Sequence, residues 1–137
     1  MIGILIVTHC QLGNALIDAA EFILAGKLKE ITSVSIDINE DAEILRKKVA
    51  EGIKAVDSQN GVLILTDMFG GTPSNLSYSF LEEGHIEVIS GVNLPMLIKA
   101  INTRETKDLN EFAAGLEAYG KKSISLASGI LKGNKRS

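Results

Sequence analysis

Two residues that can take part in phosphoryl chemistry each lie just beyond a short apolar stretch of the chain. His9 comes after the apolar run at residues 2–7, and Asp67 comes after a second run at residues 62–65. If both runs are neighbouring strands of one parallel sheet, the two side chains meet at its carboxyl edge, where open α/β sheets bind ligands. The spacing therefore predicts a histidine–aspartate pair at that edge.

Such a pair is suited to carrying a phosphoryl group. Imidazole is a nucleophile near neutral pH, and a carboxylate that accepts the Nδ1 proton leaves Nε2 free to attack phosphorus. The alternative is a histidine that only forms local hydrogen bonds at the end of a strand. The pairing of two strand ends with a glycine-rich turn favours the chemical role for His9, with Asp67 as its orienting partner.

The glycine-rich turn follows Asp67 and opens a helix. Pro73 suits the first helical position, and Thr72 can cap the helix by accepting a hydrogen bond from a backbone N–H. Two glycines before them allow backbone amides to approach an anion at the helix N-terminus. A plain strand-to-helix turn is the alternative for this motif taken alone. We expect the phosphoryl group to be bound by Thr8, Gly70, Gly71 and Thr72.

Two apolar residues lie between Asp67 and the glycines. Met68 and Phe69 would be exposed beside the site, where apolar side chains suit a transient protein interface better than a core. We therefore predict that they dock a partner protein.

Composition excludes several classes of function. The 137 residues argue for one domain, and the net charge of −3 offers no basic field to nucleic acid or an anionic membrane. No Walker lysine and no G-x-G-x-x-G follow a strand, so nucleotide binding has little support. Two histidines and one cysteine have no ligand-like spacing, and we expect neither a metal nor a cofactor. A single cysteine excludes a disulfide framework and favours the cytoplasm.

Strand and helix patterns alternate along the chain. This alternation predicts a single-domain α/β fold: an open sheet of about four parallel strands with helices on both faces. The strands are predicted at 2–7, 31–38, 61–66 and 85–90. The helices are predicted around the apolar face at 16–24 with a stop at Gly26, after an N-cap at Asn39, at about 73–83, after the turn at 91–95, and from about 109. A short alternating segment at 123–127 is predicted as an edge strand. The domain then spans 1–127, and 128–137 form a flexible tail.

Two further residues could react but are assigned ordinary roles. Cys10 is adjacent to His9, yet neighbours on an extended chain point to opposite sides, so we expect a packed thiol rather than a Cys–His couple. His85 lies between a helix stop and a strand start and is expected to be an exposed turn residue. A hydrolase that uses His9 and Asp67 as a general-base pair lacks a convincing serine or cysteine nucleophile.

Three motifs together resemble the mannose-type enzyme IIA components of the bacterial phosphoenolpyruvate-dependent sugar phosphotransferase system. They are Ile-Val-Thr-His at 6–9, Thr-Asp-Met-Phe-Gly-Gly-Thr-Pro-Ser-Asn at 66–75 and Gly-Val-Asn-Leu-Pro-Met-Leu at 91–97. The resemblance implies that His9 takes a phosphoryl group on Nε2 from the phosphocarrier protein HPr and passes it to an enzyme IIB component. It also implies that Asp67 orients the imidazole.

The resemblance carries expectations about partners as well. It implies a homodimer in which the segment 123–127 is exchanged and pairs antiparallel with the partner's sheet. No fused enzyme IIB domain follows, so we expect a separate acceptor protein and only an indirect link to the membrane through the sugar permease. Cys10 departs from the small residue expected after the histidine. A regulatory phospho-acceptor, including the phosphotransfer subunit of dihydroxyacetone kinase, is the alternative function.

Overall fold

Four parallel strands form one sheet in the computed structural model, which describes residues 1–105 and 108–132. In sequence they are β1 (Gly3–His9), β2 (Ile31–Ile36), β3 (Val62–Thr66) and β4 (Ile86–Ser90), and in space their order is β2-β1-β3-β4. Every pairing is parallel. The predicted α/β fold class is confirmed.

Helices cover both faces of this sheet. They are α1 (Leu12–Leu24), α2 (Ala42–Val56), α3 (Thr72–Tyr78), α4 (Leu94–Thr103), α5 (Leu109–Lys122) and α6 (Ala127–Leu131). Successive side chains of β1 alternate between two cores: Ile4 and Ile6 pack with α1, α4 and α5, whereas Leu5 and Val7 pack with α2. A strand buried on both faces explains why the run in the sequence is continuously apolar.

The register of the central strands brings the two site residues to one edge. Val7 pairs with Thr66 across β1 and β3, so the residues that follow each of them emerge side by side. On the other side of β1, His9 pairs with Ile36 at the end of β2. Three strands therefore finish together around His9, and β4 finishes beside β3.

Three element boundaries differ from prediction. Asn39 is not a helix N-cap, because residues 37–40 form a turn in which Asp37 Oδ1 accepts from Asn39 N–H at 3.0 Å, and α2 begins only after Asp41. β2 accordingly ends at Ile36 rather than residue 38. The helix predicted for 73–83 ends at Tyr78, because the N–H groups of 79–81 bond three residues back instead of four.

The C-terminal segment differs most. Residues 124–126 form neither helix nor strand, and α6 starts at Ala127, so within the described chain the segment 123–127 is not paired with the sheet. Its alternation reflects two exposed apolar side chains, Ile124 and Leu126. A strand needs a neighbour to accept its hydrogen bonds, and the chain leaving α5 does not turn back onto its own sheet. The predicted tail begins within α6, and residues 133–137 lie outside the described residues.

A buried arginine fastens the amino edge of the sheet. The Arg104 side chain follows α4 and donates to the backbone carbonyls of Lys29 and Glu30, and the Arg104 carbonyl accepts from Ile2 N–H. Burial lowers the pKa of Arg104, and the neighbouring carboxylates of Glu105 and Glu30 oppose that shift. Two nitrogens of its guanidinium group thus bond to the chain just before β2 and tie it to the end of α4.

Replacing this arginine should destabilise the fold. Arg104→Met keeps the side-chain volume but removes the donors to two carbonyls, and we expect the free energy of unfolding to fall by about 1–3 kcal/mol. Urea denaturation followed by circular dichroism measures the change. Lys47→Met, on the exposed side of α2, is the control for the lost positive charge. Equal stability of the two variants would contradict the role assigned to Arg104.

Candidate functional site

The centre of the site is a carboxylate that forms two hydrogen bonds with one histidine. Asp67 Oδ2 accepts from the His9 backbone N–H at 3.0 Å and lies 2.8 Å from His9 Nδ1. An ionised carboxylate can only accept, so Nδ1 carries the proton and Nε2 of the neutral ring keeps its lone pair. The His9 side chain is 38% exposed and that of Asp67 is 12% exposed. The predicted pair is therefore assembled with the reactive nitrogen toward solvent.

The environment of Asp67 keeps its carboxylate ionised. Partial burial works to raise the pKa of Asp67, but the hydrogen bonds from the His9 backbone and ring outweigh it, and Coulombic attraction to the ring in its protonated form acts in the same direction as those bonds. The pKa consequently lies below the ordinary value of 3.8. The second oxygen, Oδ1, accepts from Met68 N–H at 3.0 Å, which fixes the rotation of the carboxylate.

Gly71 lies directly against the reactive edge of the imidazole. A Cβ at this position would be 3.0 Å from His9 Cε1 and 3.4 Å from Nε2, so a larger residue would press on the ring. Gly70 serves a different need, since its φ of +90° belongs to a region that other residues rarely adopt. The two glycines thus bring backbone, rather than side chains, next to Nε2.

Hydrogen bonding within the turn differs from the predicted capping. The N-cap of α3 is Gly71, not Thr72, and the first helical bond runs from Asn75 N–H to the Gly71 carbonyl at 3.0 Å. The Gly70 N–H donates to Ser74 Oγ at 3.0 Å, so this amide is already used inside the turn. A helix supplies no acceptor for the amides of its first turn, which leaves those of Gly71 and Thr72 for a ligand.

Thr8 is buried away from the reactive nitrogen. Its Oγ1 accepts from Gly13 N–H at 2.9 Å and so fastens the start of α1. Side chains alternate along a strand, and Thr8 therefore faces away from the side on which His9 meets Asp67. The structure brings Gly70, Gly71 and Thr72 to the site with His9 and Asp67, but not the Thr8 hydroxyl.

The third motif of the sequence supports the aspartate. Gly91 N–H and Val92 N–H both donate to the carbonyl of Thr66 at 3.0 Å, which fixes the chain just before Asp67. Asn93 caps α4 through its side-chain oxygen and donates to the Gly120 carbonyl at 3.1 Å. The motif at 91–97 thus acts by holding the end of β3.

Two expectations about other reactive residues need correction. Cys10 is exposed and not packed, because the strand ends at His9 and the chain reverses through a φ of +52° at Cys10, where alternation no longer applies. His85 does lie in a turn, but it is half-buried with Nε2 2.9 Å from Asp57 Oδ2. This second pair lies at the amino end of β4, at the opposite edge of the sheet from His9.

Apolar surface flanks His9 on both sides. Met68 is 54% and Phe69 78% exposed, and the Phe69 ring leans on Tyr78 with ring centroids 6.3 Å apart. On the other side is a cleft of about 590 Å³ whose walls include His9, Cys10 and Ile38, together with Gln11, Ser35, Ile36, Asp37, Glu40 and Lys48. Sequence reasoning missed Ile38, which was assigned to the end of the strand predicted at 31–38, whereas β2 ends at Ile36 and leaves Ile38 in the loop beside His9.

Sequence reasoning also missed Ser74. This residue is fully buried, and its hydroxyl accepts from Gly70 N–H and donates to the Gly71 carbonyl, both at 3.0 Å. A serine at the third position of a helix that starts with a glycine cap was the available signal.

Metal ligation and membrane crossing were both searched for in residues 1–105 and 108–132. These residues contain no group of three or more His, Cys, Asp or Glu side chains arranged to hold a metal ion. None of the helices described in this part of the chain combines the length and hydropathy needed to cross a bilayer.

A carboxylate-oriented imidazole at the carboxyl edge of an open α/β sheet marks a class of proteins in which a histidine can act as a nucleophile. Within that class, the family described as "PTS system fructose IIA component" matches residues 3–117, and the chain belongs to this family. The resemblance stated from the sequence motifs is confirmed. The chain accordingly has a phosphotransfer role in the sugar phosphotransferase system.

Individual relatives agree with the family. The fructose-specific EIIA component of Bacillus subtilis is 30% identical over 93% of this chain and 88% of the relative. The mannose-specific EIIAB component of Escherichia coli is 35% identical over 76% of this chain, which spans about a third (32%) of that longer protein. Among solved structures, the EIIA component of Streptococcus agalactiae superposes with a TM-score of 0.83 at 25% identity, covering 94% and 99% of the two chains.

The lowered pKa of Asp67 gives a stability prediction. A carboxyl group whose pKa is depressed by folding stabilises the protein above its unfolded pKa and loses that effect as the pH falls through the folded value. Asp67→Asn should therefore lower the free energy of unfolding by about 1.5–3 kcal/mol near neutral pH, with the difference shrinking below pH 3.8.

Urea denaturation between pH 3 and pH 7 measures this difference. Asp18→Asn, at an exposed carboxylate of α1, controls for the loss of one negative charge. A stability difference between Asp67→Asn and the parent that is the same at pH 3 and pH 6 would show that the ionised carboxylate adds nothing to the hydrogen bonds.

Proposed function

We propose that this protein is a phosphoryl relay in which His9 accepts a phosphoryl group from phosphorylated HPr and delivers it to an enzyme IIB component during sugar uptake. The observation that carries the proposal is the 2.8 Å contact between His9 Nδ1 and Asp67 Oδ2. It places the proton on Nδ1 and leaves the Nε2 lone pair as the nucleophile. No metal or nucleotide is needed for the step.

In the transfer, the Nε2 lone pair of His9 forms a bond to phosphorus as the bond from phosphorus to the donor's histidine nitrogen breaks. The leaving nitrogen keeps the bonding electrons, and the ring of His9, still protonated at Nδ1, gains positive charge. Asp67 lies where that charge develops and stabilises it, as the aspartate of a serine protease stabilises imidazolium. Transfer to the acceptor reverses these steps.

Backbone groups next to Nε2 would hold the phosphoryl oxygens. The proximity of Gly71 to the ring and the unused amides of Gly71 and Thr72 support this role. Phosphoryl transfer depends mainly on positioning and on charge stabilisation, and fixed N–H donors supply both. In this proposal Gly70 shapes the turn and Thr8 anchors α1, while neither contacts the phosphoryl group through a free donor.

The exposed apolar surface around His9 would dock both partners in turn. A relay must present one nucleophile first to a donor and then to an acceptor, so both proteins use the same face of the molecule. Met68 and Phe69 on one side and the cleft at Ile38 on the other give an apolar centre typical of transient interfaces. The proposal places the relay in the cytoplasm, with the membrane reached only through the sugar permease.

Labelling of His9 tests the relay. Incubation with phosphoenolpyruvate, enzyme I and HPr should add one phosphoryl group by intact mass, and the product should be acid-labile and alkali-stable. His9→Ala should abolish the added mass, because it removes the nucleophile. His85→Ala is the matched control, since His85 also faces a carboxylate, at 2.9 Å, but at the far edge of the sheet. Labelling that survives His9→Ala would refute the proposal.

A homodimer with exchanged C-terminal segments completes the proposal. β4 is the outer strand of the sheet, and a groove of about 550 Å³ runs along it and α5. Natural proteins seldom leave such an edge bare. The exposed side chains of Ile124 and Leu126 alternate as those of an added strand would. Pairing across a two-fold axis would place each segment 123–127 antiparallel to the partner's β4.

Truncation tests the dimer. A chain that ends at Lys122 should be monomeric, or its dimer should have a dissociation constant at least tenfold higher than that of the parent. The reason is that the exchanged strand is gone while α5 stays complete. Light scattering after size exclusion gives the mass, and circular dichroism checks that the helices remain. Truncation after Lys132 is the control, and light scattering should still report the mass of a dimer. A parent protein that is monomeric at micromolar concentration would refute the dimer.

A further inference from the structure

The hydroxyl of Ser74 is fully engaged by the turn that faces the imidazole. Its oxygen accepts from Gly70 N–H and its proton goes to the Gly71 carbonyl, each at 3.0 Å. The side chain is completely buried. Gly71 is the residue in contact with the Cε1–Nε2 edge of His9. Ser74 thus acts on the backbone that lies next to the reactive nitrogen without touching that nitrogen itself.

The two bonds fix the orientation of the peptide plane between Gly71 and Thr72. The Gly71 carbonyl accepts from both Ser74 Oγ and Asn75 N–H, so it points into α3. In a trans peptide the following N–H points the opposite way. The Thr72 N–H is therefore directed out of the helix. With Gly70 held by the same hydroxyl, the plane cannot rotate without breaking a buried hydrogen bond.

We propose that Ser74 is a positioning residue for phosphoryl transfer, which holds the Gly71–Thr72 peptide so that the Thr72 N–H donates to the phosphoryl group on His9 Nε2. This inference rests on the proposed function and assigns a positioning role to one residue of its site. Serine suits the position because one small hydroxyl donates and accepts at once. Alanine would leave the Gly70 N–H without its acceptor and the Gly71 carbonyl with one donor fewer.

Ser77 provides a matched comparison on the same helix. It is also completely buried, and its hydroxyl donates to the Pro73 carbonyl at 2.7 Å. Removing either hydroxyl costs a buried hydrogen bond of α3, but only Ser74 bonds to the glycines of the turn. A difference between Ser74→Ala and Ser77→Ala therefore reports on positioning rather than on the stability of the helix.

The experiment uses phosphoramidate as the phosphoryl donor, so that it depends on no partner protein. Amide spectra of the ¹⁵N-labelled full chain are recorded before and after modification, and mass spectrometry follows the rate. In the parent, the Thr72 amide proton should shift downfield on phosphorylation. Ser74→Ala should lose at least half of that shift and react about tenfold more slowly, since a misdirected donor stabilises less charge. Ser77→Ala should match the parent in both.

The outcomes separate this inference from the proposed function. A parent whose His9 is modified neither by phosphoramidate nor by phosphorylated HPr overturns the relay and this inference together. A modified parent with equal Thr72 shifts and rates in Ser74→Ala and Ser77→Ala overturns the role of Ser74 alone. Ser74→Thr, which keeps the hydroxyl, should restore the Thr72 shift. If the variants fail to fold, amide hydrogen exchange in the parent protein tests the inference instead. The Gly70 N–H must be protected from exchange in both states, and the Thr72 N–H must become protected only after phosphorylation; any other pattern overturns the role of Ser74.

Discussion

The site depends on one carboxylate oxygen, Asp67 Oδ2, which joins the ends of two strands. It accepts from the backbone and from the ring of His9, so it fixes the position of the residue and the rotation of its imidazole together. The same pair of bonds outweighs partial burial and keeps the carboxylate ionised. A second carboxylate–histidine pair, Asp57 with His85, involves only the ring nitrogen and lies at the other edge of the sheet. The double hydrogen bond is what distinguishes the pair that we propose to carry the phosphoryl group.

Rigid elements surround this interaction on every side. The strands β1 and β3 end in register, and the loop after β4 donates two amides to the carbonyl that precedes Asp67. On the opposite side of the imidazole, the short helix α3 holds the glycine turn through Ser74. Catalytic groups held by strands and buried hydrogen bonds lose little entropy when substrate binds. The proposed docking surface, formed by Met68, Phe69 and Ile38, is by contrast exposed, and Phe69 is the most exposed of the three.

Much of this arrangement could be predicted from the sequence. Continuous apolar runs identify buried parallel strands, and residues just beyond such runs must meet at one edge, so His9 and Asp67 were recognisable before any coordinates. The predictions of a helix cap at Thr72 and of a packed thiol at Cys10 were wrong, because capping and chain reversal are decided by backbone dihedrals rather than by residue type. The segment 123–127 is not paired with the sheet of its own chain, because an alternating pattern does not by itself supply a hydrogen-bonding neighbour, and its pairing with a second subunit stays a prediction. Ser74 carried a signal in its position, but its two partners are set by the turn.

Cys10 combines a left-handed backbone conformation with an exposed side chain, and its exposure has a practical consequence. A non-glycine residue in this region carries a strain of about 1–2 kcal/mol, which glycine would relieve. The sulfur of this cysteine is exposed, lines the cleft beside His9 and is the only thiol in the 137 residues. A maleimide fluorophore would therefore attach at a single place, within the surface that we propose partners cover. The protein thus offers its own attachment point for an optical sensor of docking.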